Sequence, residues 1–370
     1  MVVRRYLYKL PKNVEELAHW YMRYISPLSL IAALLFDYFV LLRRVDLWTT
    51  NAVLFFYLAV AASSIIVMNL IETGRLSHQW VLKVTPMIPV VAQFAFGGLF
   101  AGYLSLYSRS AALEISWIFI FILTVLLIGN ERFVRFYRRF VFQFSMFFVV
   151  LFSFFIFFLP VVSGKIGPYM FIASGFVSLL VITGFFYALS RLVPERARGE
   201  RTRVARSVAA IFLIFNALYF TGAIPPLPLA LKDAGVYHGA VRVDDAYQLL
   251  AEPTPWYEVY LRYNTVFHRS SDEPVYVYTA IFAPTGLSTT VSHEWQRYEE
   301  RSRAWVTEET IPYFIVGGRD GGYRGYSIKF QASEGKWRVN VVTEFGQLIG
   351  RVAFGVVNVP QPVPIELVVR

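Results

Sequence analysis

With 370 residues, 56% hydrophobic, 18% aromatic and only 16% charged, the chain is too apolar for an ordinary soluble domain, which is roughly 45–50% apolar and about 25% charged. The net charge of +10 divides unevenly, with 21 Lys/Arg against 9 Asp/Glu through Leu231 and 14 against 16 from Lys232 onward, so the basicity marks membrane orientation and argues against a nucleic-acid partner. The absence of cysteine excludes disulfides, thiol nucleophiles and thiolate metal sites.

In chain order, the lead 1–24 comes first. Asn13 as N-cap and Glu16 at the capping-box position predict a helix start there. Val14, Leu17, Ala18 and Tyr21 share one face, which fits either an interfacial helix or an extension of the first span. No cleavable signal peptide is apparent in this lead.

Seven apolar runs of spanning length follow within 25–224: Ile25–Leu42, Thr49–Ile71, Pro86–Tyr107, Ala111–Gly129, Phe140–Val162, Tyr169–Ser190 and Ser207–Ile224. Each approaches the ~20 residues that cross a hydrocarbon core. With the N-terminus in the cytoplasm, seventeen Lys/Arg fall in inner segments, and only Arg43, Arg44, Arg109 and Lys165 fall in outer ones. That bias places everything after the seventh span outside the cytoplasm, in a periplasm or beyond the cell surface.

The prolines at 225, 226 and 228 cannot continue a helix, so 225–239 is expected to be a neck and 240–370 an extracytoplasmic β domain. Asp244–Glu252 suggests a short helix. Strands are expected at Val275–Ala283, Ser288–Arg297, Arg303–Thr307, Ile311–Gly317, Tyr323–Gln331, Trp337–Glu344 and Leu348–Val357, which are rich in β-formers and separated by turn residues. Trp337, Val339 and Val341 share one face while Arg338 and Asn340 take the other; Tyr326, Ile328 and Phe330 alternate with Ser327 and Lys329. This alternation suits an antiparallel sandwich. The expected fold is therefore an all-α membrane bundle followed by an all-β, sandwich-like domain.

The segments Ser292-His-Glu-Trp-Gln-Arg297, Gly317-Gly-Arg-Asp-Gly-Gly-Tyr-Arg-Gly-Tyr-Ser327, Gly335-Lys-Trp-Arg-Val-Asn-Val-Val-Thr343 and Gly346-Gln-Leu-Ile-Gly350, closing on Phe354 and Val356, resemble the bacterial domain-of-unknown-function family 2914 over about Ser288 to Val357. The hydrophobic half and its Pro-Pro-Leu-Pro-Leu neck resemble an uncharacterised membrane region, family 5924. The resemblance implies an envelope protein and brings no activity with it.

Few residues suggest chemistry. His293-Glu294 lacks the second histidine of a zinc-protease helix, because position 297 is Arg. Gly317–Gly325 lacks the Gly-Lys-Ser/Thr ending of a phosphate loop and is expected to be a long hairpin turn. The five histidines show no ligand spacing, so no metal and no cofactor is expected. Glu299 and Glu300 would point to opposite strand faces. Asp37, Gln93, Glu114, Asn130 and Asn216 are the polar residues within the spans, where they read as pairing or snorkelling groups or as a functional site. Gly98 and Gly102 form a small-xxx-small motif in the third span, suited to packing within the bundle or to a homo-oligomer.

His293, Trp295, Arg324 and Ser327 are the candidate ligand-binding residues, which would line an open groove; the competing reading makes Trp295 and Trp337 core and His293 a satisfied buried polar group. The expected function is an envelope module in which a β-sandwich binds a protein, peptide or glycan and the spans anchor it in the lipid bilayer. The rival is a membrane enzyme or transporter for a lipid-linked or small substrate, with the β domain as accessory.

Overall fold

The computed structural model describes residues 44–133, 136–244, 246–256, 258, 263–270 and 273–370. The helix expected after Asn13, the run Ile25–Leu42 and Asp37 lie outside the described residues. Two compact units emerge. One holds the described residues up to Ser108, Trp117–Val162 and Pro168–Ala223; the other holds Arg109–Ser116, Ser163–Gly167 and the described residues of Ile224–Arg370.

The first unit is helical: α1 (Trp48–Glu72), α2 (Gln79–Val84), α3 (Ile88–Ser110), α4 (Leu113–Phe133), α5 (Phe140–Ser163), α6 (Pro168–Leu192) and α7 (Pro194–Phe220). Six of these are long and apolar enough to cross a membrane, α3 together with the 3-10 turn Thr85–Met87 before it. They coincide with the second to seventh expected runs. The last differs: α7 starts thirteen residues before Ser207, at Pro194. Pro fits the first helical position, and Glu, Arg and Ala that follow are strong helix formers, so the basic segment between the sixth and seventh expected runs is part of the helix.

Phenylalanine fills this unit. Phe152 of α5 stacks on Phe212 and Phe215 of α7 at 5.8 and 4.7 Å. A Cβ at Gly98 would meet the Tyr57 ring of α1 at 2.7 Å, so the small-residue motif serves helix packing inside this chain; Gly102 is buried on the same helix. Buried polar groups are chained together. Asn69 Nδ2 donates to Gln143 Oε1 (2.7 Å), Gln143 Nε2 donates to the Tyr137 carbonyl (2.5 Å), Tyr137 donates to Asn130 Oδ1 (2.5 Å), and Asn130 Nδ2 donates to the Gln93 carbonyl (2.8 Å). Asn216 bonds back to the Phe212 carbonyl of its own helix at 2.8 Å. Such internal pairing is what apolar surroundings demand of amides.

Among the described residues, the second unit has eleven strands in three sheets, ordered β1-β5-β8, β4-β10-β9-β6-β7 and β11-β3-β2. The strands are β1 (Ala230–Tyr237), β2 (Gly239–Val243), β3 (Ala246–Ala251), β4 (Val266–Ser270), β5 (Val275–Phe282), β6 (Ser288–Glu299), β7 (Ala304–Val316), β8 (Tyr323–Lys329), β9 (Gly335–Thr343), β10 (Leu348–Val359) and β11 (Glu366–Val369). The β1-β5-β8 sheet is the middle layer. Val275 and Val277 pack with Trp295, Trp337, Val339 and Phe354 of the five-stranded sheet, while Tyr278 and Ala280 pack with Leu249 and Ala240 of the third. Alternate residues of β5 thus serve two cores, as period two requires.

Four expectations change. Ala230–Tyr237, placed in the neck, is strand β1, because Ala234 and Val236 complete the first core. Asp244–Glu252 contains strand β3 rather than a helix: paired against β2, it buries Leu249 against the middle sheet. Arg303–Thr307 and Ile311–Gly317 are one strand, β7, with a bulge opposite Trp295/Gln296. The glycine-rich segment is no hairpin, since β7 and β8 belong to different sheets. There Gly317 lies so close to the Pro284 carbonyl that no side chain fits. Ile166, from the segment Ser163–Gly167, packs against the second core cluster, with Ile281, Val291 and Val341.

Candidate functional site on the outer sheet face

The five-stranded sheet has two chemically different faces, set by parity along β6, β9 and β10. The inner face carries Val291, His293 and Trp295, then Trp337, Val339 and Val341, then Val352, Phe354 and Val356, all buried. His293 and Trp295 are 0% exposed and Ser327 is 3% exposed, so these three do not line an open groove. Ser327 Oγ accepts from Trp295 Nε1 (3.0 Å) and bonds to His293 Nδ1 (2.8 Å). His293 Nε2 meets Thr279 Oγ1 (2.9 Å) and the Tyr313 hydroxyl (3.1 Å). Burial pushes the His293 pKa down to about 3, so the ring is neutral, and both nitrogens are satisfied as a buried imidazole requires.

Arg324 is not with them. Its Nη1 donates to the Arg370 carbonyl (3.2 Å) and its own carbonyl accepts from the Tyr247 hydroxyl (3.2 Å), beside the third sheet. The alternation on β8 also runs opposite to hydrophobicity. Ser327 points inward, while Tyr326 and Phe330 are 37% and 68% exposed, because the buried indole and imidazole need a hydroxyl there.

The outer face carries the other parity. Register aligns Thr310, Glu294, Asn340 and Arg351 in one row and Thr307, Gln296, Arg338 and Ala353 in the next. Arg338 Nε donates to Gln296 Oε1 (2.7 Å), whose Nε2 donates to Thr307 Oγ1 (2.9 Å). Arg351 Nε donates to Asn340 Oδ1 (2.7 Å). Each guanidinium is thus fixed through Nε by an amide, and neither Nη pair has a protein partner among the described residues. The Arg338 guanidinium lies 4.3 Å from the Trp305 ring centroid, Lys336 Nζ lies 5.6 Å from that of Tyr298, and the two rings meet edge to face at 5.3 Å. Partial burial lowers the Arg338 pKa, as does the Arg351 charge, with Glu294 opposing. Arg338, Arg351, Lys336 and Glu294 thus put three cations beside one carboxylate across β6, β9 and β10.

At one end, the Tyr263 hydroxyl accepts from the Ala353 amide at 3.1 Å. Burial raises the Tyr263 pKa, and the Glu114 charge adds to the rise. Glu114 is exposed and belongs to the β unit's segment Arg109–Ser116, so it is not a polar group enclosed among helices.

A second polar cluster lies elsewhere on the β unit. His238 bonds to Glu273 Oε1 through Nδ1 (2.8 Å) and to Glu252 Oε1 through Nε2 (3.1 Å); Glu252 Oε2 also meets His268 Nδ1 (2.7 Å). Burial pushes the His238 pKa down, but the two carboxylates outweigh it and hold it above the usual value. Burial pushes Glu252 up, and the bonds from His238 and His268 bring it below the usual value. Among the described residues no group of three or more His, Asp or Glu is arranged to hold a metal ion.

Residues 288–356 match the family model described as Protein of unknown function (DUF2914). The match starts with β6 and ends within β10, so it spans four of the five strands of the two-faced sheet together with β8. The family-like motif residues His293, Trp295, Ser327, Trp337, Phe354 and Val356 all point into the core. No curated protein matches the chain. Among solved structures, the Pseudomonas fluorescens alkylpurine DNA glycosylase AlkC, bound to DNA containing an abasic site analog, aligns at 10% identity over 81% of this chain and 97% of that chain; the TM-score of 0.22 is too low to support any inference.

Proposed function

We propose that this chain is an envelope protein of the cytoplasmic membrane whose β unit stands outside the cytoplasm and captures a carboxylate-bearing glycan on the outer face of its five-stranded sheet. The observation that carries the reading is the pair Arg338 and Arg351, whose forks are held in place by Gln296 and Asn340 with their Nη groups directed at no protein acceptor among the described residues. Arginine forks match carboxylates in two-point geometry, and the Trp305–Tyr298 rim offers flat surface for a sugar ring. A peptide adding to the sheet edge is disfavoured, because β7 carries Pro312 and a bulge, both of which guard edges against pairing. Orientation is supported by the basic residues, and by the segments 109–116 and 163–167, expected outside, which belong to the same unit as the strands.

The test uses the full chain in phosphatidylcholine nanodiscs with polygalacturonate, neutral galactan and poly-glutamate as probes. Polygalacturonate binds in preference to galactan, binding weakens as salt rises, and Arg338→Gln with Arg351→Gln lowers affinity roughly tenfold or more. Unchanged affinity in that double variant refutes the site. Stronger capture of poly-glutamate than of polygalacturonate would replace the glycan with an acidic peptide.

A further inference from the structure

The helical unit contains a cleft of about 660 Å3 between α6 and α7, floored by Phe144 of α5. That is within the ~300–1,000 Å3 range of small-molecule sites. Its lining is divided by chemistry. Ile182, Phe186, Val204 and Val208 make one part apolar, while Arg191, Arg198, Arg201, Tyr187 and Ser190 surround the other.

The arginines are disposed unequally. Arg191 lies over the Tyr187 ring at 4.6 Å from its centroid and reaches the Tyr187 hydroxyl. Two nearby acids are engaged elsewhere: Glu72 holds Arg196, and Glu200 holds Arg203 at 3.1 Å; Glu195, in the first turn of α7, is exposed and does not line the cleft. Arg198 and Arg201, three residues apart on α7 and both exposed, have no ion pair among the described residues. Among the described residues, no carboxylate lines the cleft. Positive potential therefore accumulates at the polar part, next to a wall that only an apolar group satisfies.

We infer that this cleft binds an anionic phospholipid, its phosphate headgroup on Arg198 and Arg201 and an acyl chain along Phe186, Val204 and Val208. The basic end lies on the side that the charge bias assigns to the cytoplasm, where anionic lipids attract basic clusters and pockets between spanning helices hold their headgroups. A free phosphate would satisfy the arginines but leave the apolar half empty. The inference rests on the helices crossing a bilayer and is independent of the outer sheet face.

The experiment releases the full chain from nanodiscs containing equal phosphatidylglycerol and phosphatidylcholine, and counts retained lipid by native mass spectrometry. Phosphatidylglycerol is retained in preference, and Arg198→Gln with Arg201→Gln reduces its retention roughly tenfold or more. Val208→Trp, which fills the apolar part, reduces it without removing charge. The comparison variant Arg75→Gln with Arg132→Gln retains lipid as the parent does. Equal retention of both lipids overturns the inference, as does an equal loss in the comparison variant, which would mean general surface attraction. Displacement by inorganic phosphate alone also overturns it, because the acyl half then contributes nothing.

Discussion

The two faces of the five-stranded sheet are built from alternating residues of the same strands, yet they do different work. The inner face is closed: its two tryptophans meet edge to face with centroids 6.4 Å apart, and its one histidine is fully bonded. The outer face is partly open, with Ala353 exposed, the two arginines half-buried and Asn340 7% exposed, its arginines fixed by amides and their forks pointing away from protein acceptors. The residues that stand out in the sequence, aromatic and spaced by a motif, hold the fold. The residues with capacity left to bind are polar ones of ordinary appearance.

Truncation breaks the contrast most severely. A fragment from Ile224 folds into a cooperative β domain, and loss of the Ile166 contact lowers its melting without preventing folding. A fragment from Gly239 lacks β1, and with it Ala234 and Val236 of the inner core. It should lose the whole of the ~5–15 kcal/mol typical of a domain and give no cooperative melt by circular dichroism. A cooperative melt from Gly239 onward would return β1 to the role of a neck.

Within the Ile224 fragment, Trp295→Ala costs about 3–5 kcal/mol in urea unfolding, as large-to-small changes in a packed core do. Ser327→Ala costs about 1–3 kcal/mol, because Trp295 Nε1 and His293 Nδ1 lose a buried partner together. A Ser327→Ala cost near zero would mean that the inner polar network is dispensable.

Acid sharpens the same contrast. The unfolded state takes up a proton near pH 6.5 that buried His293, with its pKa at about 3, refuses. Stability therefore falls as pH drops below 6.5, by roughly 1.4 kcal/mol per unit. His238 has the opposite sign: its raised pKa contributes stability that is fully present below 6.5 and lost as pH rises through its folded value. Glu252, with a depressed pKa, contributes above 4.5 and loses that contribution only on further acidification. Between pH 6.5 and 4.5 the slope thus belongs to His293 among these three, and a flat profile there would contradict a neutral, enclosed ring.

The smallest effect on stability comes from the outer face. Arg338→Gln and Arg351→Gln should each move unfolding by no more than about 1 kcal/mol, the scale of a part-exposed cation–π contact such as that of Arg338 on Trp305, while weakening glycan capture.

Much of the architecture is legible in the residues alone. Long apolar runs mark the helices because nothing else accommodates them, and parity on β9 separates Trp337, Val339 and Val341 from Arg338 and Asn340 correctly. Strands β1, β2, β3, β4 and β11 are not legible, since short segments such as Val266–Ser270 gain their identity only by pairing with distant partners; β4 runs parallel to β10. Ser327 misleads for a related reason. A serine between two apolar residues reads as solvent-facing until the indole and imidazole opposite it are known. Of the outer-face site only the shared side of Arg338 and Asn340 on β9 is legible, because parity within one strand gives no register with Gln296 on β6 or Arg351 on β10.

The most direct test combines both faces with the location of the β unit. Because the chain has no cysteine, Ala353→Cys on the outer face, where the residue is exposed, and Val339→Cys on the inner face, where it is 0% exposed, each introduce a single thiol. In intact cells whose outer barrier admits a charged maleimide but whose cytoplasmic membrane does not, Ala353→Cys should label promptly and Val339→Cys only after denaturation. Labelling of Ala353→Cys only once the cytoplasmic membrane is opened would contradict the outside location, and equal protection of the two thiols would contradict the open face.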